Sequence, residues 1–105
     1  MPLSLAYALL MNKVRVFQDY NGINMTVLLE NDKDTDDVSE NYVDTPFKGV
    51  KALRIRIVID KFLKETQMGT LLDDIRLLEK KTDFLITEIS KDNNQLIVKG
   101  EVYGI

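Results

Sequence analysis

Three carboxylates at alternate positions, Asp32, Asp34 and Asp36, are the residues of this chain that come nearest to metal chemistry. They stand at the first, third and fifth places of a calcium loop of the EF-hand kind, whose oxygens converge on the ion at about 2.3–2.6 Å. Such a loop also needs a glycine at the sixth place for its sharp turn and a bidentate glutamate at the twelfth. Counting from Asp32, those places hold Asp37 and Val43. Residues 23–29 before it alternate like a strand, where a calcium loop has an entering helix. No metal site is therefore expected. The acidic stretch at about 31–45 reads as a solvated loop, or as a partner-binding element through Asp32, Asp34, Asp36, Asp37 and Glu40.

Other constellations are weaker. Glu79-Lys80-Lys81 has the E-x-K spacing of some metal-dependent nucleases, but it falls at the tail of a helical pattern, where lysines suit the helix dipole. Asp73 and Asp74 are neighbours on that helix and do not face each other, so they do not share a proton or an ion. With no histidine and no cysteine, the usual general base, the zinc ligands and the thiol nucleophile are missing. No serine lies in a G-x-S-x-G setting, and no glycine-rich phosphate loop occurs. The expectation is a protein without catalytic residues and without a cofactor.

Charge is unevenly spread. Residues 31–44 hold six carboxylates against Lys33, a balance of −5, while the whole chain carries −3, so the remainder carries +2. A candidate basic face follows directly: Lys48, Lys51, Arg54 and Arg56. With Lys13 and Arg15 on an adjacent strand, and Phe17, Tyr20 and Phe47 as stacking surfaces, it would make a weak nucleic-acid footprint. The overall negative charge opposes strong phosphate affinity.

These residues must be positioned by a chain of 105 residues, enough for a single domain spanning 1–105 with one core. The run at 3–11 is apolar, and its spacing suits a short helix starting at Pro2 or a buried strand. It is far shorter than the ~20 residues that cross a bilayer. No positive charge precedes it and no cleavage pattern follows, so a soluble, cytoplasmic protein is expected. Lys13-Val14-Arg15-Val16-Phe17 alternates, Asn21-Gly22 marks a turn, and 23–30 alternates again, which predicts a hairpin of 13–19 with 23–30. The clearest strand is 50–60, with Leu53, Ile55, Ile57 and Ile59 facing one way and Arg54, Arg56 and Asp60 the other.

From Gly69 the period becomes helical. Leu71, Leu72, Ile75 and Leu78, with Leu77 at the margin, predict an amphipathic helix at about 69–81 capped by Thr70. Residues 61–68 fit an earlier turn of that helix or a loop. A second hairpin pairs 84–89 with 95–103 across a loop of about five residues, and Gly100 within it signals a bulge or a close backbone approach. The predicted class is α+β: a mainly antiparallel sheet, as a small sandwich or half-barrel, with one helix packed on it.

By subtraction, the predicted role is a protein-interaction or assembly module that forms a homo-oligomer or joins a larger complex. The apolar run 3–11 and the closing Glu-Val-Tyr-Gly-Ile are liabilities unless packed. By analogy of architecture alone, a small phage tail or virion component has this make-up. The alternatives are a small inhibitor or nucleic-acid mimic acting through the acidic loop, or a weak nucleic-acid-binding domain using the basic strand.

Overall fold

The computed structural model describes residues 1–31, 33–60, 71–93 and 95–105. One helix, α1 (Leu3–Asn21), precedes five antiparallel strands: β1 (Met25–Leu29), β2 (Val43–Asp44), β3 (Lys51–Asp60), β4 (Phe84–Asp92) and β5 (Gln95–Gly104). The order across the sheet is β1-β3-β5-β4, and β2 pairs with the start of β3 along the same side as β1. The sheet is open, and the helices pack on one face of it. The fold class is α+β.

The hairpin expected at 13–19 with 23–30 does not form, because 13–19 belongs to α1. The alternation of Lys13 to Phe17 is only five residues long. A longer stripe overrides it: Leu3, Ala6, Leu10 and Val14 are buried, and Tyr7 and Phe17 pack beside them. That spacing of three and four residues places them on one side of a helix. The Asn-Gly signal is real but ends the helix and does not turn a hairpin. Gly22 has φ 61°, and the Ile23 N–H reaches back to the Gln18 carbonyl at 3.3 Å, the six-to-one bond of a Schellman cap. Gln18 Oε1 then accepts the Met25 N–H at 2.8 Å and fixes where β1 begins.

β3 is the centre of the sheet and matches its predicted span closely. Leu53, Ile55, Ile57 and Ile59 are buried against the helices, with Leu96, Val98 and Val102 of β5 beside them. Phe84 and Ile86 of β4 complete that layer. Leu71, Ile75 and Leu78 close one end of it, from a short second helix at 71–75 that tightens into a 3-10 turn at Arg76–Glu79. This helix ends earlier than the expected 81, and Leu77 is exposed, outside the stripe. The predicted start at Gly69, the Thr70 cap and the segment 61–68 lie outside the described residues.

The second hairpin is longer than predicted. Its strands run on to Asp92 and resume at Gln95, so the connection is tight, with Asn93 at φ 53°. Asparagine tolerates this left-handed conformation better than most residues. Gly100 meets both meanings proposed for it. The register shifts between Ile86 and Glu88, opposite it, and a Cβ there would stand 2.4 Å from the Phe84 ring. The N–H of Ile86, beside this irregularity, donates to Glu79 Oε1 at 2.7 Å. Glu79 thus ties the second helix to β4, a role its E-x-K spacing did not suggest.

Candidate partner-binding surfaces

The acidic loop is built around one buried amide. Asn41 is 7% exposed, and its Nδ2 donates to the carbonyls of Thr35 and Asp37, each at 2.9 Å. Asn31 Nδ2 donates to the Thr35 carbonyl from the other side at 2.7 Å. Val38 and Tyr42, on either side of a 3-10 turn at Ser39–Asn41, pack against the core and anchor the loop. Those two apolar residues four apart were the available sequence signal for this order.

The carboxylates stay outside. Asp34, Asp36, Asp37 and Glu40 are exposed, and no ion pair among the described residues involves them. Asp32 lies outside the described residues. Among those described, no three carboxylates gather as a cation would need. Asp37 instead bonds within its own turn, one carboxylate oxygen accepting from Ser39 Oγ at 2.7 Å and Ser39 N at 2.9 Å. These bonds hold its pKa below the ordinary carboxylate range, the Ser39 hydroxyl contributing most. A depressed carboxylate contributes order that is full above its unfolded pKa and is lost as pH falls through its folded one. The turn at 37–41 is therefore expected to persist through pH 4 and to loosen only below the usual aspartate pKa of ~3.9. Amide chemical shifts of Ser39 and Asn41 followed through an acid titration check this; melting already at pH 5 would contradict it.

The wider footprint that adds Lys13 and Arg15 to the basic face is not assembled. Lys13 and Arg15 lie on α1, on the other side of the sheet from Arg54 and Arg56. This follows from 13–19 being helical. Phe17 is half-buried on α1 and lines a groove with Tyr20, whereas Phe47 stands on the open face with Arg54 and Tyr103, so the three do not form one stacking surface. Lys51 hydrogen-bonds Asp44 across the β2–β3 pair, and that ammonium keeps Asp44 ionised below its usual pKa. Lys48 is exposed in the loop before β3.

Arg54 and Arg56 do share the open face of the sheet, and carboxylates stand beside both. Arg56 Nε lies 3.1 Å from Glu30 Oε1, and Arg54 Nε lies 3.8 Å from Glu101 Oε1. Lys99, directly opposite Arg56, approaches Glu30 at 3.9 Å and Glu88 at 4.0 Å. Arg56 and Lys99 alone would repel, and the two glutamates flanking them offset this. Each exposed pair contributes at most about 1 kcal/mol, so the lattice serves charge balance more than stability. Tyr103 donates to Glu101 Oε2 at 2.6 Å, a bond that raises its pKa above the ordinary tyrosine value. Beside it lies a depression of about 630 Å³ lined by Val43, Pro46, Phe47, Val50 and Leu85.

The least balanced surface is on α1, whose first half is the apolar run at 3–11. Leu5, Leu9, Val16 and Tyr20 project outward, while its only ionisable groups besides tyrosines are Lys13, Arg15 and Asp19. A groove of about 420 Å³, lined mainly by Val16, Phe17, Tyr20, Leu77 and Leu78, separates α1 from the second helix. Among the described residues, no helix is long and apolar enough to cross a membrane. No family model, curated protein or solved structure matches the chain.

Proposed function

We propose that this chain is a non-enzymatic protein-interaction and assembly module, of the small structural kind used in phage tails and virions. The observation that carries the reading is α1: a helix with one apolar stripe in the core and a second one facing solvent. An isolated globular domain needs only the first. The second stripe costs solubility unless a partner covers it. The salt lattice of the open face supports the same reading, because its cations and carboxylates stand beside one another.

Light scattering between about 10 μM and 1 mM tests the proposal, a range in which even a weak interface of ordinary size is populated. The mass is expected to rise above that of a 12.1 kDa monomer. A strict monomer throughout would count against assembly through this chain's own surfaces.

A further inference from the structure

We propose that the outer stripe of α1 is a self-association surface, on which a second copy of this chain docks as an antiparallel helix related by a twofold axis. This names the partner for the assembly reading and rests on it. The stripe consists of Leu5, Leu9, Val16 and Tyr20, which are 49, 41, 58 and 89% exposed. Their spacings are four, seven and four, the same from either end. At about 100° per residue they fall within an arc of about 60° on one side of the helix. The stripe is therefore its own complement under a twofold axis that crosses α1 between Asn12 and Lys13. Leu5 meets the second copy's Tyr20, and Leu9 meets its Val16. Such an interface is isologous and closes at a dimer.

The surroundings fit that occupant. The groove between α1 and the second helix is lined by Val16, Tyr20 and Leu77, and it lies where the second copy's Leu5 arrives. Asp74 shares the groove wall with Lys13, and two cations of α1 have partners on their own chain. Lys13 Nζ donates to the carbonyl of Lys80, and Arg15 Nη2 donates to Asn12 Oδ1 at 2.7 Å along its own helix. Asn12 at the axis is a polar residue in an apolar seam, which penalises shifted registers. A 19-residue helix is about 28 Å long. Two such helices at about 9 Å separation cover on the order of 500 Å² each, or about 1,000 Å² together, near the lower bound of specific interfaces. The dimer is therefore weak and concentration-dependent.

The chain has no cysteine, so single-cysteine variants report geometry without background. Under mild oxidation, Asn12→Cys beside the axis is expected to cross-link to itself. Leu5→Cys is not, because its two copies lie about 22 Å apart along the seam. Mixing Leu5→Cys with Tyr20→Cys gives a product that neither gives alone. Leu9→Glu is expected to weaken dimerisation at least tenfold while its circular dichroism stays that of the parent. Should Leu9→Glu disturb the fold, Val16→Lys and the cross-linking pattern decide. Self-linking of Leu5→Cys, or an oligomer indifferent to Leu9→Glu and Val16→Lys, overturns this interface but leaves assembly through another surface standing. A strict monomer overturns both.

Discussion

Leu10→Ala is expected to destabilise the domain by about 2–5 kcal/mol, measured as a lower urea midpoint with an unchanged slope. Leu10 is fully buried, at the middle of the stripe that α1 lays on the sheet, with Ala6 and Val14 on either side of it along the helix. Truncation removes its transfer free energy and leaves a cavity that a rigid sheet on one side cannot fill. Against the 5–15 kcal/mol typical of a whole domain, that loss is a large fraction. The adjacent Leu9 sits on the other stripe, and Leu9→Ala is expected to change monomer stability by no more than about 0.5 kcal/mol. Equal effects at the two positions would mean that the two faces of α1 are not distinct.

Gly104→Ala is expected to be nearly as damaging, by a different mechanism. A Cβ at Gly104 would stand 2.5 Å from Leu3 Cα, 2.6 Å from its nitrogen and 2.9 Å from the Met1 carbonyl. All three are backbone atoms, so no side chain can rotate away. They are held there by paired hydrogen bonds, Leu3 N to Ile105 O at 3.1 Å and Ile105 N to Met1 O at 3.0 Å. Adding the methyl must push the start of α1 off the end of β5. Overpacking of this kind costs about 1–3 kcal/mol, which lowers the melting temperature by about 4–8 °C for each kcal/mol in a domain near this size. A melting temperature unchanged from the parent would place the start of α1 elsewhere.

What the sequence reveals and conceals here follows the range of each interaction. β3 is legible because Leu53, Ile55, Ile57 and Ile59 repeat strictly over a span longer than a typical strand. α1 is half legible: Leu3, Ala6 and Leu10 carry the helical spacing, but the five alternating residues from Lys13 imitate a strand. The decisive information is that Val14 and Phe17 continue the earlier stripe, which only a window longer than the apparent strand reveals. The Asn-Gly pair fixes a positive φ without fixing what it terminates.

The candidate surfaces were less accessible still. That Arg56 stands beside Glu30 and Lys99 depends on the register of β1, β3 and β5, which is set by side chains far apart along the chain. Which carboxylates stand beside the expected basic residues is therefore set by cross-strand neighbours and not by composition. The acidic loop is legible as exposed carboxylate; its order rests on one asparagine bonded to carbonyls, which carry no sequence signal, and shows in the sequence only through Val38 and Tyr42. The outer stripe of α1 is concealed because residues 13–17 alternate like a strand, and Leu5 and Leu9 gain their symmetry mates only once Val16 and Tyr20 belong to the same helix.

Contacts between copies are the most direct test of assembly through α1. In an equimolar mixture of isotope-labelled and unlabelled protein, isotope-filtered nuclear Overhauser spectra record only contacts from one copy to another. The expected cross-peaks join Leu5 methyls to the Tyr20 ring and Leu9 methyls to Val16 methyls. Cross-peaks confined to open-face residues such as Leu28, Leu85 or Phe47, or none at a concentration where light scattering reports a dimer, would contradict it.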